Sequence, residues 1–80
     1  MTVREKRAQL HLWVVARCLR DGGFSTEDYY KYAEEVLGLA HNTALYELAA
    51  LERLGLVERE TLRRVNCRRL AEYVGQLQRQ

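Results

Sequence analysis

The chain has 80 residues, of which 13 are Lys or Arg and 11 are Asp or Glu, and its net charge is +2. Hydrophobic residues make up 48% of it and charged residues 30%, which is typical of one small folded domain and excludes an intrinsically disordered chain. The N-terminal segment is charged and its apolar run is short, so we expect neither a signal peptide nor a membrane span.

The charge is unevenly distributed along the chain. Residues 1–23 carry five basic and two acidic side chains, residues 24–55 carry two basic and six acidic ones, and residues 56–80 carry six arginines and three glutamates. An acidic middle therefore lies between two basic ends. This pattern is the most informative electrostatic feature of the sequence.

A first helix is predicted over about residues 3–20, ended by a glycine cap in the Asp21-Gly22-Gly23 segment. Its second half, LHLWVVARCL, is apolar on nearly every side. A helix of this kind needs burial on two sides, and in so small a domain we expect the second side to be another subunit.

A second helix is predicted to begin at Ser25, which has capping-box spacing to Asp28. Its inward stripe is predicted to comprise Tyr29, Tyr32, Ala33, Val36 and Leu37.

A third helix is predicted from about His41 to Leu54. Its predicted core stripe comprises Ala44, Leu45, Leu48 and Leu51.

The remaining segment is predicted to form a short extended hairpin from Leu56 and then a last helix that Asn66 could cap. One continuous helix from Thr61 to Gln78 is an alternative, because short apolar runs do not fix element boundaries.

The two cysteines, Cys18 and Cys67, lie far apart and have no zinc-site spacing. We expect two reduced thiols in the core of a cytoplasmic protein. A disulfide is the alternative if the source is a hyperthermophile.

The order helix, helix, glycine turn, helix and strand resembles the winged helix-turn-helix superfamily. Ala33-Glu34-Glu35 with Leu37-Gly38-Leu39 is similar to its second helix and turn, and Thr43, Leu48, Leu51 and Gly55-Leu56-Val57 fall at the spacing of its third helix and first wing strand. The chain departs from the pattern by one extra residue before Leu37-Gly38, by a short wing without a tip glycine, and by Tyr46 and Glu47 where basic or small polar residues are common.

The resemblance implies a mainly α fold: a winged helix-turn-helix with a three-helix core, a short β-hairpin wing and a C-terminal helix. The single domain would span residues 1–80, with the helix-turn-helix at about 25–55, the wing at about 56–65 and the C-terminal helix at about 66–79.

In this family the third helix enters the major groove of DNA and meets base edges. The expected base-reading residues are Asn42, Thr43, Tyr46, Glu47 and Ala50. Phosphate contacts dominate affinity, so arginines around the reading helix must supply it. The expected phosphate-binding residues are Arg53, Arg59, Arg63, Arg64, Arg68 and Arg69.

The first and last helices carry more apolar residues than a three-helix core can cover. We expect a homodimer interface formed by Leu10, Trp13, Val74 and Leu77. The alternative is that these residues complete a monomeric core.

These patterns predict a small homodimeric protein that binds double-stranded DNA sequence-specifically as a cytoplasmic transcriptional regulator. An interaction module that binds a protein partner is the alternative, because the acidic middle favours a basic partner. RNA binding ranks third, because no base-stacking sheet or loop motif is visible. No catalytic constellation, metal cluster or phosphate loop is apparent, so we expect no enzyme activity, no cofactor, no metal and no small-molecule ligand.

Overall fold

The computed structural model describes residues 1–79, except for the side chain of Ala71. This part of the chain is mainly helical, with four helices and a three-stranded antiparallel sheet whose strand order is β1-β3-β2. The elements are α1 (Val3–Asp21), β1 (Gly23–Ser25), α2 (Thr26–Lys31, continued by a π-helical turn over Tyr32–Val36), α3 (His41–Arg53), β2 (Glu58–Arg59), β3 (Arg64–Asn66) and α4 (Arg68–Arg79).

Helix α1 is defined at both ends by local hydrogen bonds. The Thr2 side chain accepts a hydrogen bond from the backbone N–H of Glu5, and the N–H of Gly22, in the left-handed conformation at φ 71°, donates to the carbonyl of Cys18. These contacts satisfy backbone groups that a helix end otherwise leaves unpaired. The predicted glycine cap is therefore confirmed.

Strand β1 was not predicted, because its three residues are too few to show a period. Gly23 and its neighbours pair with β3 in antiparallel register, with Phe24 opposite Val65. A Cβ atom on Gly23 would lie 2.5 Å from the carbonyl oxygen of Val65, so this position admits only glycine without a backbone shift. Gly23 thus allows the first helix to be followed at once by a sheet strand.

The extra residue before Leu37 is accommodated by the π-helical turn that ends the second helix. The N–H of Leu37 donates to the carbonyl of Tyr32, five residues back, at 3.1 Å. Such a turn inserts one residue without ending the helix. It also rotates Val36 outward, where it is 67% exposed, so the prediction that Val36 faces the core is wrong.

Strands β2 and β3 form the predicted hairpin, and the alternative of one continuous helix over residues 61–78 is wrong. Arg59 pairs with Val65, and Thr61 Oγ1 at the turn accepts hydrogen bonds from the N–H groups of Arg63 and Arg64. Asn66 Oδ1 accepts from the N–H of Arg68 at 2.9 Å, so α4 begins two residues later than predicted.

The core lies between α1, the helices that follow it and the sheet. It contains these buried hydrophobic residues: Leu10, Val14, Cys18, Phe24, Tyr29, Ala33, Leu37, Leu39, Ala44, Leu48, Val57, Val65, Cys67 and Leu70. No helix in residues 1–79 is long and apolar enough to cross a membrane.

Cys18 and Cys67 are buried, as predicted, but they are joined by a disulfide, so the expectation of two reduced thiols is wrong. Their Cα atoms lie 5.5 Å apart although 49 positions separate them in the chain. The bond therefore fixes the start of α4 against the last turn of α1. A covalent link across so many residues removes much of the freedom of the unfolded chain.

We predict that the double variant Cys18→Ser, Cys67→Ser unfolds with a free energy about 2–4 kcal/mol below that of the native chain, because the loop constraint on the unfolded state is lost. Urea unfolding followed by circular dichroism measures this difference. Excess reductant should lower the urea midpoint of the native chain and leave that of the variant unchanged. Equal midpoints for the native chain with and without reductant would contradict the disulfide.

Candidate nucleic-acid interface

Helix α3 is fixed to the preceding helix by one buried hydrogen bond and two contacts of His41. The hydroxyl of Tyr29 donates to the carbonyl of Ala44 at 2.7 Å, and burial raises the pKa of this phenol well above its usual value. At the start of α3, the His41 ring packs on Tyr30 at 4.6 Å, and its Nδ1 lies 3.4 Å from the Glu34 carboxylate. The orientation of α3 about its own axis is thereby set.

The outward side of α3 agrees only in part with the predicted reading face. Asn42 and Tyr46 are exposed there, whereas Thr43 and Ala50 are half-buried at its margin. Leu45, predicted for the core, is instead 42% exposed. Sequence reasoning missed it because a leucine at helical spacing is usually a core residue.

The prediction that Glu47 faces outward is wrong. Only 7% of this residue is exposed, and its carboxylate forms an ion pair with the Arg7 guanidinium and a 2.7 Å contact with Nε2 of His11, both on α1. A carboxylate can remain buried when basic groups surround it. Glu47 therefore ties α3 to α1 and cannot read bases.

The second acidic residue of α3 is also engaged. Arg59 of β2 donates from Nε and Nη2 to Glu52 Oε1 at 3.2 and 3.1 Å. This contact joins the end of α3 to the hairpin and partly satisfies Arg59, a predicted phosphate ligand. Neither carboxylate of α3 lies unpaired on its outward side.

Four of the predicted phosphate-binding arginines remain exposed and form no ion pair with a carboxylate of residues 1–79. They are Arg53, Arg63, Arg68 and Arg69. Arg64 differs, because its Nε lies 4.0 Å from Glu60. A surface contact of that length contributes little energy, so Arg64 can exchange it for another anion.

These arginines lie at the end of α3 and in the elements that follow it. Arg68 and Arg69 line a cleft of about 390 Å³ between the end of α3, β2 and the first turn of α4, together with Glu52 and Asn66. Arg63 lies at the hairpin turn beside Leu62, which is 86% exposed. The hairpin turn is fixed to α2, because the Thr26 N–H and hydroxyl donate to the carbonyls of Arg63 and Leu62.

The predicted dimer residues do not share one exposed surface. Leu10 is fully buried in the core of the monomer, so its assignment to an interface is wrong. Trp13 is half-buried, with its ring stacked on Tyr32 at 5.5 Å. Val74 is partly buried against the core, and only Leu77, 52% exposed, is largely free.

Among the described residues, no group of three His, Cys, Asp or Glu side chains is placed to hold a metal ion.

Comparisons with protein-family models, with curated proteins and with solved structures found no match to this chain.

We predict that Glu47→Ala lowers the free energy of unfolding by about 1–3 kcal/mol, because it leaves Arg7 and His11 without their shared carboxylate. Urea unfolding of Glu47→Ala, Arg7→Ala and the double variant would give the coupling between the two side chains. The matched control is Glu35→Ala, which removes an exposed carboxylate. Equal stabilities of the Glu47 and Glu35 variants would show that the buried ion pair contributes nothing.

Proposed function

We propose that the chain is a winged helix-turn-helix protein that binds double-stranded DNA through the outward side of α3. The element order and the strand order β1-β3-β2 support a winged-helix fold in which β2 and β3 form the wing. The resemblance of residues 25–60 to that family supports the same reading. Fold alone does not define function, so the proposal rests on the chemistry of the site.

One observation carries the proposal: the outward side of α3 bears no unpaired carboxylate, although the segment is acidic overall. Glu47 is held by α1 and Glu52 by Arg59, which leaves Asn42, Leu45 and Tyr46 to face outward, with Arg53 at the end of the helix. A neutral helix can enter the major groove without charge repulsion. Asn42 offers paired hydrogen bonds to adenine, and Leu45 and Tyr46 offer apolar contact to thymine methyl groups.

Affinity comes from the arginines that flank this helix. Arg53 lies at the end of α3, Arg63 at the wing turn, and Arg68 and Arg69 at the start of α4. Each phosphate contact releases condensed counterions, so binding weakens as salt rises. The exposed Leu62 beside Arg63 gives the wing an apolar tip next to a charge, which suits the edge of a minor groove.

A protein partner is the rival candidate, and the exposed apolar residues of α3, together with Leu54, which follows it, favour it. Leu45 is 42%, Tyr46 69% and Leu54 72% exposed. Aromatic and aliphatic side chains of this kind also form the centres of protein interfaces. A chain that is not retained on heparin and does not shift random duplex DNA at low salt would support this rival and overturn DNA binding.

We predict that Arg63→Ala, Arg68→Ala and Arg69→Ala each weaken binding to random and specific duplexes alike. Each lost phosphate contact should reduce the slope of log K against log salt by about 0.9. Fluorescence anisotropy with a labelled duplex at several salt concentrations measures both effects. The control is Lys31→Ala, which removes an exposed charge beside Trp13 and Tyr32, in a cleft between α1 and α2. Unchanged affinity and slope in all three arginine variants would remove these residues as anchors.

We predict that Asn42→Ala and Tyr46→Ala change which sequences are preferred, with discrimination falling by about 1–3 kcal/mol at the contacted base pairs. Selection from a randomised duplex pool followed by sequencing measures the preference. Glu35→Ala is again the control, because it leaves α3 intact. Altered affinity with an identical preference profile would exclude α3 as the reading helix.

A further inference from the structure

Helix α1 carries two apolar stripes, and the monomer uses only one of them. The buried stripe is Leu10, Val14 and Cys18. The second stripe lies on the outer side and comprises Ala8, Leu12, Ala16 and Leu19, positions that share one face of a helix, and Val15 at its edge is partly buried against the core. Leu12 is 60% and Leu19 48% exposed. No Lys, Arg, Asp or Glu occurs from Ala8 to Ala16.

The last helix adds to this exposed apolar surface. Helix α4 contacts α1 and buries Leu70, but Tyr73 is 53% and Leu77 52% exposed. Aligned, uncharged and largely exposed apolar side chains on two contacting helices are unusual for a monomer surface. Among the described residues, nothing covers them.

The outer stripe is self-complementary about its centre. Leu12 lies in the middle, with Ala8 four residues before it and Ala16 four residues after it. When two such helices pack in antiparallel orientation about an axis next to Leu12, the two leucines meet near the axis and Ala8 of each copy lies nearly level with Ala16 of the other. Small residues on both sides of a large one let two helices approach closely, and a surface that matches itself is the mark of a two-fold interface.

The charges at the two ends of α1 select the antiparallel orientation. Arg4 and Glu5 lie at one end, and Arg20 and Asp21 lie at the other. A two-fold axis midway between Leu12 and Trp13 sets Glu5 level with the partner's Arg20, about 11 Å from the axis at 1.5 Å per residue. Within residues 1–79, Glu5 forms no ion pair, whereas Arg20 contacts only Asp21 of its own chain. A parallel pair would leave Glu5 and the partner's Arg20 at opposite ends of the interface.

We propose that a second copy of this chain binds the outer stripe, with α1 packed antiparallel on the partner's α1 and with Tyr73 and Leu77 of α4 extending the contact. The dimer seam is thus formed by Leu12, Ala16 and Leu19 in place of Leu10 and Trp13. This assembly does not depend on DNA binding, and it presents two copies of α3 related by a two-fold axis.

Sedimentation equilibrium at micromolar concentration tests the assembly, and we expect the native chain to be a dimer. Leu12→Glu should raise the dissociation constant of the dimer at least 10-fold, because it sets two like charges near the two-fold axis. The matched control Leu62→Glu adds the same charge at the exposed wing turn and should remain dimeric. Circular dichroism would establish that each variant is folded. A monomeric native chain, or a dimer insensitive to Leu12→Glu, overturns the proposal.

A charge swap tests the orientation separately. Glu5→Arg and Arg20→Glu should each weaken the dimer, because each creates two like-charge contacts, and the double variant should recover most of the loss. Failure of the double variant to recover would overturn the antiparallel register. Gel shifts with the Leu12→Glu monomer separate the two proposals. If the monomer binds duplex DNA, the proposed function holds whether or not the chain dimerises. If the native chain is a dimer that does not bind duplex DNA, only the proposed assembly holds.

Discussion

The buried carboxylate of Glu47 is the constraint on which the candidate interface depends. This carboxylate can be buried because Arg7 and His11 of α1 surround it. Removal of either partner would leave a buried charge that is poorly compensated. Together with the Tyr29 hydrogen bond and the His41 contacts, this ion pair holds helix α3 at one rotation about its axis. That rotation turns Asn42 and Tyr46 outward and leaves the middle of their face free of acid. The Glu47 side chain therefore affects both the stability of the domain and the charge of the outward side of α3.

The helices could be predicted from the sequence because their signals are long and periodic. Helix α1 and its glycine cap lie within a residue of the expectation, and Ser25 caps α2 as its spacing indicates. The hairpin of β2 and β3 was also predicted, but strand β1 and the π-helical turn could not be. Strand β1 has three residues, and its pairing with β3 depends on Gly23 approaching a carbonyl 42 positions later. In the sequence, the only sign of the π-helical turn is the one extra residue before Leu37 relative to the winged helix-turn-helix pattern.

The site was less predictable than the fold, because helical periodicity assigns a residue to a face and says nothing of its partners. Glu47 looks like a surface residue until Arg7 is known to lie beside it. Charge distribution was the more useful signal, since the arginines expected to hold phosphate all stay exposed, although Arg59 is engaged by Glu52 and Arg64 lies 4.0 Å from Glu60. The sequence favours reduced thiols over the disulfide, because two cysteines 49 positions apart show no pairing pattern.

An NMR titration of the labelled chain with a random 20-base-pair duplex at low salt tests DNA binding by the outward side of α3 most directly. The largest amide shifts are expected at Asn42, Tyr46 and Arg53 and at the wing turn around Arg63, with small shifts at Arg7 and His11, whose contact with Glu47 persists in the complex. Shifts concentrated along α1 with none in α3, or no shifts at saturating duplex, would contradict this account.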